Sequence, residues 1–344
     1  MELTPRKQAV LKAVVKAYIE TGEPIGSKIL TELLENAPSS ATLRNEMSEL
    51  CSLGLLEQPH TSAGRVPTVG GYRLYIDSLM SCDSISDSTK KYIDENFASL
   101  HCEPELIPSF AAKILSELTG LPAFCCTISN RVPEIKRIEL LPVSRFSVML
   151  LVITDDGRAR NKIFRQSSDF TSGTKRLFED ISKKYLIGRP INNLNPGYIQ
   201  SIAATAGMMV LELIPLLNAV CNIVSDINIK DVNIENGNAL YSICDSEREA
   251  HRIMSMLRNS ETLISLLANL KDESGVIFGI DTGYEELWRK TLVSAKFSIA
   301  DKYSGYIGVL GPNRMSYDQI LPCTQYITEK LGETMTEAQR NMED

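Results

Sequence analysis

Histidine and tryptophan are scarce in this chain of 344 residues, which has three of the first and one of the second. His60, His101 and His251 stand at no ligand spacing from any cysteine, and none of the eight cysteines (51, 82, 102, 125, 126, 221, 244 and 323) belongs to a C-x-x-C pair. A zinc site and a disulfide framework both lack their usual spacing, and scattered thiols suit a reduced, cytoplasmic setting. Enzyme signatures are missing as well. There is no Gly-x-Ser-x-Gly elbow, and the Gly64–Gly71 stretch lacks the Gly-Lys-Ser/Thr ending of a phosphate loop. Gly305, Gly308 and Gly311 are too widely spaced for a dinucleotide fingerprint and read instead as a buried strand with close backbone approach. No catalytic residue, cofactor or metal is expected. The N-terminus has no apolar signal-peptide core. The one stretch apolar enough to suggest a membrane span, 202–221, is interrupted by Glu212, Pro215 and Asn218, so a buried helix is expected there. Repeats and low-complexity runs are absent.

What remains is an ordinary globular composition, 43% hydrophobic and 23% charged, with enough chain for two or three domains. The net charge is −7 and is unevenly spread. Residues 1–80 hold eight basic and nine acidic side chains, so nearly all of the excess lies beyond them. An acidic body with a near-neutral N-terminal region repels nucleic acid in general while leaving room for a selective reader.

The first 80 residues are punctuated like a winged helix-turn-helix. Thr4 is placed to cap a first helix with Pro5 at its opening position, and Gly22 with Pro24 ends it. Val10, Leu11, Val14, Val15, Tyr18 and Ile19 form one apolar stripe along that helix. A second helix is expected over about 27–35. A third follows Pro38-Ser39-Ser40, with Leu43, Met47 and Leu50 inward and Gly54 at its end. Residues 55–67 read as two extended pieces around Ser62-Ala63-Gly64, the shape of a wing, and another helix is expected over 68–80. Residues 81–88 are polar and turn-rich and read as a linker, followed by helices near 88–100 and 105–119.

Beyond Glu134 the periodicity alternates between strand and helix. Strands are expected at 135–141, 146–153 and 160–164, the last two joined at Asp155-Asp156-Gly157, and helices over 174–186 and 198–220. Asn236-Gly237 signals a hairpin between 231–235 and 239–244. A helix over 247–270 precedes strands at 275–280, 295–302 and 306–310. A C-terminal helix is expected to reach Leu331, kinked or delayed by Pro322, and residues past 333 read as frayed. The fold class is therefore α+β.

The third helix is the sharpest functional feature. Its polar face carries Thr42, Arg44, Asn45, Ser48 and Glu49. Arg pairs with guanine, Asn with adenine, and Thr can touch the thymine methyl. Ser39 and Ser40 at its start suit phosphate. A solvated helix face would use similar residues, but the adjoining loop concentrates His60, Thr61, Ser62 and Arg65 beside Gly64 and Pro67, a set suited to groove or phosphate contact. Lys28 and Arg73 are candidate backbone contacts. These twelve residues, Glu49 apart, are the expected DNA-binding set. The other reading the pattern allows is a winged-helix regulator whose α+β half binds a small-molecule effector.

Several long motifs resemble the HrcA family of heat-inducible transcription repressors: Thr21-Gly22-Glu23-Pro24-Ile25-Gly26-Ser27, Ser40-Ala41-Thr42-Leu43-Arg44-Asn45-Glu46-Met47, Pro59 through Thr68, Gly70-Gly71-Tyr72-Arg73 and, near the other end, Gly308 through Tyr317. The resemblance implies a winged helix over 1–80, a linker and connecting helix over 81–104, and a GAF-like α+β domain over 105–154 and 216–335. It also implies an inserted dimerisation subdomain over 155–215 and a frayed tail over 336–344. It implies a homodimer on an inverted-repeat operator in double-stranded DNA, repressing groE- and dnaK-type chaperone operons and kept active by the GroE chaperonin, without a membrane. One turn departs from the family pattern: Gly279-Ile280-Asp281-Thr282-Gly283 stands where a Gly-Glu-Glu-Asn-like turn is expected.

Overall fold

The structure is a computed structural model that describes residues 3–35, 37–60, 63–81, 85–100, 104–144, 146–165, 171–206, 212–227, 230–270, 272–299 and 303–343. The N-terminal region folds as its punctuation suggests. Helix α1 (Pro5–Thr21) is capped by the Thr4 hydroxyl and closed by Gly22 at φ 73°. Helix α2 (Ser27–Leu33) is shorter than expected, and α3 (Ser40–Ser52) is capped by Ser39, whose hydroxyl accepts the Thr42 N–H at 3.2 Å. Gly54 takes φ 72°, as its place at a helix end requires. Strands β1 (Leu56–Glu57) and β2 (Val66–Pro67) form the wing. Ile25 bridges to Arg65 through two backbone bonds of 2.9 and 2.8 Å, so the wing is tied to the chain between α1 and α2. A side chain at Gly64 would put its Cβ 2.4 Å from the Ile25 oxygen, which is why glycine stands at that crossing. Helix α4 (Val69–Leu74) then widens into a π-turn over Tyr75–Leu79.

The connecting helix α5 (Asp87–Ala98) lays Ile93 and Phe97 into the core, and α6 (Ile107–Thr119) leads into a five-stranded antiparallel sheet. Its strands are β3 (Ala123–Ser129), β7 (Lys230–Glu235), β8 (Ser274–Phe278), β9 (Lys290–Ile299) and β10 (Tyr303–Pro312), in the order β7-β3-β10-β9-β8. Helices α6 and α13 (Tyr317–Glu343) cover one face. The other face is covered by α10 (Leu240–Ile243), α11 (Glu247–Arg258) and α12 (Ser260–Leu267). Gly305 and Gly308 lie where β10 passes closest to its neighbours: a Cβ there would meet the Cys126 and Val293 oxygens at 2.1 and 2.2 Å.

The insertion is larger than expected. Strands β4 (Ile135–Ser144), β5 (Ser147–Thr154) and β6 (Ala159–Arg165) form their own sheet, which packs on α7 (Ser172–Ile181), α8 (Pro196–Ala206) and α9 (Ile214–Ser225). Together they enclose a separate hydrophobic core running from Ile135 to Ile227, not one confined to 155–215. The reason is topological. Strands β3 and β7 pair side by side in the main sheet, so everything between them leaves it and returns.

Three other expectations are corrected. Asn236 adopts the left-handed conformation (φ 52°), but the chain continues into a 3₁₀ turn and α10, so no hairpin forms. The expected single helix over 247–270 breaks at Asn259, whose side chain caps α12. Helix α13 starts at Tyr317 despite Pro322 and continues to Glu343, so residues 336–343 are helical rather than frayed; Met335 is buried against the core. No helix among the described residues is long and apolar enough to cross a membrane.

Candidate nucleic-acid interface

Helix α3 buries Leu43, Met47 and Leu50 and turns Arg44, Asn45 and Ser48 outward, with Thr42 half-buried. The same helix carries Glu46 and Glu49, which would oppose a phosphate backbone if left uncompensated. Helix α1 supplies the compensation. Lys7 Nζ lies 2.6 Å from Glu49, and Arg6 lies 3.8 Å from Glu46. The bond to Glu49 raises the Lys7 pKa above its ordinary value, keeping the ammonium charged. Sequence reasoning missed Arg6 and Lys7, because nothing local shows which face of one helix meets the carboxylates of another.

The serines before α3 work within the domain. Ser39 caps the helix and its hydroxyl also meets that of Thr42 at 3.0 Å. Ser40 Oγ lies 2.8 Å from the buried Ser27 hydroxyl and so joins the start of α3 to the start of α2. Both hydroxyls are thus engaged in placing the helix. Lys28 is exposed on α2. His60 is exposed in the wing, while Thr61 and Ser62 lie outside the described residues. Arg65 is half-buried, donating to the Ala63 carbonyl at 3.4 Å, with its Nε buried and unbonded. The structure thus brings the α3 residues, Lys28 and the wing residues His60 and Arg65 into one domain around the helix-turn-helix.

Arg73 is placed differently. Helix α4 turns toward the sheet domain, and the Arg73 guanidinium bonds Asp281 and lies 5.5 Å from the Phe278 ring centroid. Asp281 belongs to the turn that departs from the family pattern. Tyr72 packs against Tyr317 at a centroid distance of 5.9 Å, and burial pushes the pKa of both phenols up. Arg314 donates to the Ile19 carbonyl at 3.3 Å and fills the space beside Gly22, where a Cβ would come within 2.6 Å. Winged helix and sheet domain therefore share one apolar core, and Arg73 belongs to the seam between them.

The effector reading finds no room on the outer face of the sheet. On the outer sheet face, Ile253, Leu257, Leu263 and Leu267 pack directly on Phe124, Cys126, Leu292 and Leu310. Among the described residues, no three His, Cys, Asp or Glu side chains converge as metal ligands.

Comparison with known proteins covers both regions. Residues 2–78 match the family model described as the winged helix-turn-helix transcription repressor HrcA DNA-binding domain, and residues 109–321 match the HrcA protein C-terminal domain. The chain is 32% identical to the heat-inducible transcription repressor HrcA of Clostridioides difficile, covering 95% of this chain and 98% of the relative. It is 27% identical to the repressor of the same name from Desulfitobacterium hafniense, over 99% and 100% of the two chains. A solved structure described as a hypothetical protein shares the fold at a TM-score of 0.70 and 23% identity, covering 98% of this chain and all of that one.

Proposed function

Because the chain belongs to the HrcA family of heat-inducible transcription repressors, we propose that it silences chaperone operons of the groE and dnaK type by binding an inverted-repeat operator as a homodimer. The observation that carries this reading is the outward face of α3, with Arg44, Asn45 and Ser48 exposed beside the wing and its two glutamates compensated from behind. Arg44 and Asn45 read bases in the major groove, while Lys28, His60 and Arg65 meet phosphate or the adjacent groove. A homodimer places two such helices at two-fold-related half-sites.

The insert supports the dimer. Its sheet has one face on its own helices; the other carries a cross-strand row of Leu141, Met149 and Ile163. Ile163 is 64% exposed and Val143 55%. Exposed apolar side chains grouped on one sheet face are the mark of a protein–protein contact, and a second copy is the partner this reading assigns to them. The same face also supports dependence on chaperonin. Until it is covered, the monomer presents apolar surface of the kind chaperonins hold, and misfolded proteins compete for the same help during heat.

The test is binding of purified protein to an inverted-repeat promoter fragment, with and without chaperonin. Arg44→Ala is expected to cost about 1–3 kcal/mol on the cognate site and far less on random DNA. Equal losses on both would remove Arg44 from base reading. A protein that recovers full binding unaided after heating would remove the chaperonin from the account.

A further inference from the structure

The chain has two interdomain joints of opposite character. The winged helix meets the sheet domain through shared apolar packing around Tyr72 and Tyr317. The insert meets it through polar groups. Among the described residues, none of the insert's hydrophobic core, which runs from Ile135 to Ile227, belongs to either of the other two cores. What joins them is the turn between β5 and β6, Asp155-Asp156-Gly157-Arg158, which projects from the insert toward the sheet domain.

Arg158 is the centre of that joint. Its side chain is 7% exposed. Nε lies 3.3 Å from Asp156 within the turn, Nη1 lies 3.9 Å from Asp231 on β7, and the guanidinium sits 5.8 Å from the Tyr303 ring centroid on β10. A second tie flanks it, Arg160 to Glu105 at 3.2 Å. A cavity of about 570 Å³ runs beside the turn, lined in part by Leu106, Pro108, Thr127 and Asn233. Packing therefore does not fill this joint, and the charged contacts of Arg158 and Arg160 bridge it. A buried guanidinium suits the task, since its permanent charge, braced by Asp156 within the turn, lies within ion-pair reach of Asp231 across the joint.

We propose that Arg158 is a positioning residue that locks the insert against the sheet domain and thereby sets the distance between the two recognition helices of the dimer. This rests on the insert being the dimerisation element. The winged helix is fused to the sheet domain and the insert joins the two copies, so the angle at Arg158 is the free coordinate between α3 and its mate. The chain would then prefer one spacing of half-sites, because two-fold-related helices must meet successive grooves at a fixed separation.

The test measures affinity for a series of operators with identical half-sites and spacers lengthened or shortened in single-base-pair steps, using the full-length dimer. The native chain should lose on the order of 100-fold when the half-sites are moved by roughly half a helical turn. Arg158→Ala should remain dimeric by sedimentation, bind the native spacing less tightly, and lose most of its discrimination among spacers. Asp231→Asn, at a side chain 36% exposed, should flatten the profile in the same direction without a folding defect, and it carries the test if Arg158→Ala does not fold. General destabilisation would lower binding to all spacers alike. A variant dimer with the native spacing profile overturns the proposal. A native chain that binds operator as a monomer, seen by sedimentation before any variant is made, overturns instead the reading beneath it.

Discussion

Glycine and tyrosine carry the most exacting single-residue demands. At Gly64, the Ile25 oxygen occupies the space a methyl group would need. Gly64→Ala should therefore destabilise the winged helix by about 1–3 kcal/mol in a denaturant titration, because either the wing bridge or the strand must yield. At Tyr303, burial pushes the phenol up to about 12, and the neighbouring Asp156 carboxylate adds to the effect. A raised folded-state pKa means that this group's contribution is intact below the ordinary phenol value near 10 and is lost as pH climbs through about 12. A spectrophotometric alkaline titration should show Tyr303 among the late-ionising phenols; ionisation of all tyrosines near 10 would contradict its burial. Much at this scale could be read from sequence. Thr4, Gly22, Ser39 and Gly54 announce helix ends because capping chemistry is local. Arg73 could not be placed, since only the folded chain brings Asp281 to it.

Among elements, the longest oversight of sequence reasoning was β3. Its residues Ala123-Phe124-Cys125-Cys126-Thr127-Ile128-Ser129 are buried on both faces, so no alternation marks them as a strand, and the run is too short to declare itself by length. That omission also misplaced the insert, whose boundaries are set by the pairing of β3 with β7. Strands β5 and β6 were easier, because β5 alternates buried with half-buried residues and β6, at the sheet edge, buries none. Their open face yields a sharp expectation. If this face pairs two copies as proposed, Ile163→Asp should give a monomer in sedimentation at unchanged helix content, since the side chain is 64% exposed and supports no fold of its own. A stable Ile163→Asp dimer would move the interface elsewhere.

Across the whole molecule, three cores sort into two mechanical bodies. The winged helix, α5 and the inner face of the sheet share one core, the outer sheet face has a second, and the insert keeps its own. Hydrogen exchange or calorimetry should therefore resolve the insert as a separately melting unit, whereas α1 and α13 should lose protection together. Independent melting of α1 would contradict the shared core. The seam at Tyr72 and Tyr317 has an evolutionary and practical corollary. A fragment cut near residue 80 would carry a raw greasy wall where its neighbour belonged, and would clump or soften before it met an operator. This reader cannot be lifted out and grafted onto a foreign sensor like an interchangeable cassette; it travels with the body that finishes it.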